Sequence, residues 1–181
     1  EKPAVVINIV DAANLERNLY LTCQLLELKL PLVVALNMMD VARDRGLDID
    51  VEKLAAFLGV PVVPIVARGH QGLDEMMRAA RELAEGRIPP PDPSRIRIAY
   101  GDDIDQVLLT MTGLIREAGL FKGVYPARWV AVKLVENDES LLAEVERENP
   151  ALSARLQQLT GRLAEHLLRT FDTYPEAVIA D

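Results

Sequence analysis

Residues Leu30–Gly46 read LPLVVALNMMDVARDRG. Leu32 to Leu36 are aliphatic at every position, and the run then ends in Asn37-Met38-Met39-Asp40. A short segment that is apolar throughout reads as a strand buried on both faces, as in a parallel sheet covered by helices. Why such a strand should finish on an amide and a carboxylate three residues apart has two answers. Asn-x-x-Asp can be a turn or cap that satisfies backbone donors, or it can be one wall of a pocket that reads a flat, hydrogen-bonding ligand.

The flanking segments repeat the pattern. Ala4–Val10 (AVVINIV) reads as a first buried strand, and Asn14 is placed to cap the helix after it. That helix carries Leu15, Leu19, Leu26 and Leu30 on one side with Leu21, Leu25 and Leu28 beside them, and Pro31 stops it. After the second strand a polar loop leads to Asp50, an N-cap for a helix over Val51–Leu58. Ile49 and Leu54 fit a hydrophobic staple, and Gly59 supplies the left-handed end. The third strand is expected over Val60–Ala67, at a sheet edge because Pro61 and Pro64 lack N–H donors. Leu73, Met76, Met77, Ala80 and Leu83 then mark a helix that ends at Gly86. Three strand–helix units in series predict an α/β fold with a parallel sheet.

RIPPPDPSR, Arg87 to Arg95, is a stiff linker and divides the chain into 1–90 and 91–181. The second part is predicted all-helical. Asp102–Ala118 carries Ile104, Val107, Leu108, Met111 and Ile115 at helical spacing, and Pro150 opens a helix with a Leu152, Leu156, Leu159, Leu163, Leu167 stripe. ARWVAVKLV, residues 127–135, fits a strand or a helix equally.

Half of the 181 residues are apolar, ample for a sizeable core. The formal net charge is −8, with acidic residues in excess on both sides of the linker, so no basic surface for nucleic acid is expected. No apolar run approaches the ~20 residues of a membrane span, and no signal peptide opens the chain, which reads as soluble. Cys23, alone, forms no intrachain disulfide, consistent with a reducing compartment, and reads as a small core residue. A start on a strand without methionine and an end at TYPEAVIAD suggest a fragment.

Ligands of open parallel sheets sit at the carboxyl ends of the strands. Here those ends are Asp11, Asn37–Asp40 and Ala67–Gly72. An asparagine amide can meet the O6/N7 side of guanine, and an aspartate can accept two bonds from N1–H and the exocyclic amine. Adenine presents a lone pair where guanine presents N1–H, so Asp40 could discriminate between the two. Backbone N–H groups around Ala67 could meet O6. Spacing alone leaves the turn and the base-reading wall both open.

VVINIVDAANLERNLYLTCQLLELKLPLVVALNMMDVARDRG, followed by LGVPVVPIVARGHQGLDEM, resembles the amino-terminal soluble region of the bacterial ferrous-iron transporter B (FeoB) family. YGDDI, PARWVAVKLVEND and YPEAVIAD resemble the helical domain that follows it. The resemblance implies a partial P-loop GTPase-type sheet followed by an all-α domain. It also implies that Asn37 and Asp40 are the guanine-specificity pair around Met38 and Met39, with Val66, Ala67 and Arg68 the last GTP-binding motif. Met38 and Met39 stand where GTPases at large have a lysine after the asparagine. The chain contains no G-x-x-x-x-G-K-[ST] phosphate loop, and no switch threonine or Asp-x-x-Gly. In the family those elements precede the segment that starts here, so GTP or GDP is the expected ligand, with Mg²⁺ only where the upstream half is present.

Other clusters read as structural. His70 and His166 are far apart, and no metal site is expected. Asp102, Asp103 and Asp105 favour a helix N-terminus, Glu144, Glu146 and Glu148 a solvated face, and Trp129 a helical-domain core. No catalytic residue is assigned. The preferred reading is the base-binding half of a transporter's G-protein module, on the cytoplasmic face of the inner membrane. Its partners would be guanine nucleotide and the permease part of the same protein, with self-association through the exposed first strand. The rival is a non-catalytic interaction or regulatory module in which Asn37–Asp40 is a turn.

Overall fold

The computed structural model describes residues 3–89 and 98–180, and the chain divides into two compact units, Glu1–Arg97 and Ile98–Asp181. Of the expected linker, residues 90–95 lie outside the described residues.

The first unit is a three-stranded parallel sheet in the order β1-β2-β3, with β1 Val6–Asp11, β2 Leu32–Asn37 and β3 Val62–Pro64. β2 is central, and Leu32 to Leu36 are completely buried, as the uninterrupted aliphatic run requires. One face packs Val10, Leu32, Val34 and Leu36 against α1 (Leu15–Glu27), α2 (Met39–Asp44) and α3 (Val51–Leu58). The other sets Val33 against Ala80 and Leu83 of α4 (Leu73–Ala84).

The expected first strand is displaced by one to two residues, and the third is shorter than Val60–Ala67. β3 sits at an edge, and its ladder is brief because Pro61 and Pro64 cannot donate: Pro61 serves through its carbonyl, accepting from Val34 N at 2.9 Å. α1 ends at Glu27 instead of Leu30, because Lys29 takes φ +56° in the turn ahead of Pro31. Asn14 stands at the N-cap of α1 without a side-chain capping bond; Asp11 caps the 3-10 turn Ala12–Asn14 that precedes it, accepting from Ala13 N at 2.8 Å and from Asn14 Nδ2 at 2.7 Å. Cys23 is half-buried, and burial, then the charge of Glu27, pushes its thiol pKa up. Within the unit, Asn8 Nδ2 donates to Thr22 Oγ1 at 2.8 Å, both residues being buried. Asp50 caps α3 by accepting from Lys53 N at 2.9 Å, and Gly59 ends it at φ +65°.

The second unit is all-helical: α5 Asp102–Glu117, α6 Ala127–Val135, α7 Glu139–Glu148, α8 Pro150–Phe171 and α9 Pro175–Ala180. The ambiguous segment 127–135 is helix. Val130, Ala131, Val132, Leu134 and Val135 are all buried, so its apolar positions cover nearly the whole circumference and the helical period is hidden. Asn149 caps α8 by accepting from Leu152 N, with Pro150 at its start. Leu156, Leu163 and Leu167 are buried along the predicted stripe, and Leu159 is half-buried. Asp105 is a structural acid: it accepts from Tyr100 N and pairs with Arg128, whose guanidinium also reaches the carbonyl of Ile98 at 2.6 Å. Trp129 is half-buried with its ring 4.8 Å from that of Tyr125. Among the described residues no helix is long and apolar enough to cross a membrane.

Candidate functional site

The carboxyl ends of β1 and β2 lie side by side, since Asp11 pairs with Asn37 in the parallel register. From Asn37 the chain turns directly into α2 through Met38, whose φ of +63° places it in the left-handed region. A left-handed methionine costs roughly 1 kcal/mol and persists only where its surroundings hold it. Met39 supplies that hold: its side chain is buried in the cluster that contains Leu36 and Ala42. Of the two methionines, Met38 is exposed and Met39 is a core anchor. Asp40, in the first turn of α2, is exposed, and its carboxylate has no partner among the described residues. The segment expected to be a polar loop therefore contains a short helix, held by the buried Met39 at its start and by Ala42 one turn on.

The second wall is the loop after β3. Val66 N donates to Gln71 O at 3.1 Å and Gln71 N to Val66 O at 3.3 Å, closing the loop at its base. Inside it Ala67–Gly69 make a 3-10 turn and His70 takes φ +56°. Val66 is half-buried against the sheet core, while Ala67, Arg68 and His70 are exposed.

The two walls meet. Ala67 N donates to Asn37 Oδ1 at 3.1 Å, across 30 residues of sequence. This pairing has a chemical consequence. The carbonyl of the Asn37 side chain is engaged, so its Nδ2 is the group with donors to offer an acceptor edge. The Ala67 N–H, expected to be available for a ligand oxygen, is spent on Asn37.

Asp11 joins the same end of the sheet, but its two carboxylate oxygens are occupied by Ala13 and Asn14. Beside it, an open cleft of about 830 Å³ runs between residues 11–18 and 47–49. The sequence placed Gln71 and Gly72 at this end of the sheet without a role; they close the loop and hand it to α4. Their signal was the HQG triplet ahead of an apolar-periodic helix. In the second unit His166 Nε2 lies 3.3 Å from Asp103 Oδ2, in an exposed contact.

Residues 1–80 match the family model described as ferrous iron transport protein B, and residues 100–181 match that of the FeoB cytosolic helical domain. The chain is 40% identical over 183 residues to the Fe(2+) transport protein A/Fe(2+) transporter FeoB fusion protein of Porphyromonas gingivalis, covering 99% of this chain and 21% of that protein. It is 34% identical over 189 residues to the Fe(2+) transporter FeoB of Staphylococcus aureus, covering 94% and 27%. A crystal structure of a point mutant of S. thermophilus NFeoB bound to GDP superimposes with a TM-score of 0.70 at 31% identity, covering 97% of this chain and 63% of that one. The chain thus spans about a fifth to a quarter of the length of these curated relatives.

Proposed function

This chain belongs to the ferrous iron transport protein B (FeoB) family, and from that premise we propose that it is the guanine-reading part and helical domain of a ferrous-iron transporter's cytosolic G-protein module. The observation that carries the reading is the bond from Ala67 N to Asn37 Oδ1, which brings the two expected base-reading segments together at the carboxyl end of the sheet. A relative with GDP bound supports guanine nucleotide as the ligand.

In this account Asn37 donates through Nδ2 to the O6/N7 edge of guanine. Asp40 accepts from N1–H and the exocyclic amine. Met39 fixes the turn that presents Asp40, Met38 lines the approach, and Val66, Ala67 and Arg68 form the opposite wall. The carboxylate rejects adenine because it would face a lone pair with nothing to accept. Phosphate and magnesium contacts are assigned to residues outside these 181. The chain has no phosphate loop, and among the described residues no three carboxylate, histidine or cysteine side chains converge. Residues 1–90 act as the nucleotide-binding part and 91–181 as the domain that passes nucleotide state to a permease on the cytoplasmic face of the membrane, where it governs iron uptake.

The Asn37–Ala67 bond also fits a second reading, an interaction module in which NMMD is only a turn. An NMR titration of the 181-residue chain separates the two. GDP is expected to shift the Asn37 side-chain amide and the Ala67 and Arg68 backbone amides, and ADP at the same concentration to leave them in place. Equal responses, or none, would favour the turn.

A further inference from the structure

We propose that Gly72 is the positioning residue of the base-reading wall, an inference that rests on the reading of Asn37 and Ala67 just given. Gly72 stands between the 66–71 loop and α4 with φ +76°. A Cβ built there would lie 2.3 Å from the carbonyl oxygen of Pro64, 3.1 Å from Ile65 Cγ2 and 3.3 Å from Ile65 Cα. The obstacle is backbone, not a flexible side chain. The backbone of β3 and the first turn of α4 approach each other as closely as they do because this residue has no side chain.

Both partners in that approach are held. Ile65 is buried and its N–H donates to Leu36 O at 2.8 Å, tying the end of β3 to the central strand. α4 is anchored on the sheet through Ala80 and Leu83. Between them, the exposed loop closed by Val66 and Gln71 is the element free to give. Any side chain at Gly72 must open the 2.3 Å approach to at least 3.0 Å, a displacement of 0.7 Å or more. The Ala67–Asn37 bond, at 3.1 Å, sits near the long end of the ~2.7–3.2 Å range and does not survive such a shift along its axis. Gly72 therefore sets where the Ala67 wall stands relative to Asn37, without itself touching the base.

Gly46 provides an internal control. It has the same φ of +76°, and a Cβ there meets nothing within 4 Å. Gly46→Ala carries the backbone penalty of a left-handed alanine alone; Gly72→Ala carries that penalty and the collision.

The test compares Gly72→Ala, Gly46→Ala and the parent 181-residue chain by amide hydrogen exchange without nucleotide, followed by titration with GDP. Gly72→Ala is expected to raise exchange at Ala67 by about two- to tenfold, the worth of one hydrogen bond, with Leu36 in β2 unchanged. Gly46→Ala leaves Ala67 as in the parent. In the titration Gly72→Ala weakens the GDP response at Asn37, and Gly46→Ala does not. Equal exchange at Ala67 in the two variants overturns the proposal. So does failure of Gly72→Ala to fold while Gly46→Ala folds, since the strain then falls on the core and not on the loop. A parent chain that ignores GDP sinks the base-reading account, while the exchange comparison still decides what Gly72 positions.

Discussion

Thr22→Val is expected to loosen the sheet unit by about 1 kcal/mol, for reasons that lie in one buried contact. Asn8 is 6% exposed and Thr22 fully buried, and Asn8 Nδ2 donates to Thr22 Oγ1 at 2.8 Å. Valine matches threonine in shape, so no cavity opens, and the effect is confined to the lost acceptor. Leaving a buried donor unpaired costs about 1–3 kcal/mol, and the new methyl returns about 0.8 kcal/mol by burial. The balance corresponds to roughly fivefold faster opening. Hydrogen exchange of the β2 amides in the intact chain measures it, since those amides exchange only when the sheet opens. Pairing Thr22→Val with Asn8→Leu removes both partners and should restore exchange to near the original rate, because two apolar groups leave nothing unpaired. Wild-type exchange in Thr22→Val refutes the reasoning, as does a double variant no better than the single.

The 181-residue chain should show no magnesium-dependent GTP hydrolysis above a buffer blank, because it carries no phosphate loop; turnover well above the blank contradicts this. Leu156→Ala, at a position 1% exposed in α8, should cost the helical unit about 2–5 kcal/mol, read by the fluorescence of the chain's one tryptophan, Trp129, during urea unfolding; a loss below about 1 kcal/mol would mean that α8 is not docked as described. Cys23 should react with a disulfide reagent at pH 8 more slowly than a free thiol, and Glu27→Gln should speed it modestly, because burial first and Glu27 second hold the thiol protonated. A thiol whose pKa is raised in the fold stabilises it fully below the ordinary value of 9.0 and progressively less as pH climbs above that, so urea midpoints should fall between pH 8 and pH 10 faster in the parent than in Cys23→Ala.

Much of this arrangement is legible in the chain because the signals are local. Leu32–Leu36 announces a central strand, Asp50 and Gly59 bracket α3, and Asn149-Pro150 opens α8. What escaped is either too short or too evenly apolar for periodicity. α2 has six residues and is set by the burial of Met39, while α6 is buried on too many sides to display a helical stripe. Asn14 occupies the N-cap of α1 as its position suggests but makes no side-chain capping bond, because its amide is turned back to Asp11, which caps the 3-10 turn between β1 and α1. At the candidate site the residue types and their place at one end of the sheet were readable, and the direct bond between the two segments was not. The Asn37–Ala67 bond spans 30 residues, and the need for glycine at position 72 arises from the carbonyl of Pro64, a neighbour supplied by the fold.

The central claim, that NMMD reads guanine, is tested most directly by Asp40→Asn in a chain extended to the length of the solved cytosolic relatives. The substitution places an amide donor against the N1–H and amine donors of guanine. Loss of such a charge-assisted contact typically costs about 1.5–3 kcal/mol, so GDP affinity should fall roughly ten- to a hundredfold. Xanthine carries an oxygen in place of the amine, which the new amide satisfies, and the variant should come to prefer XDP. Unchanged GDP affinity with no gain for XDP would contradict the account and leave Asp40 a turn residue.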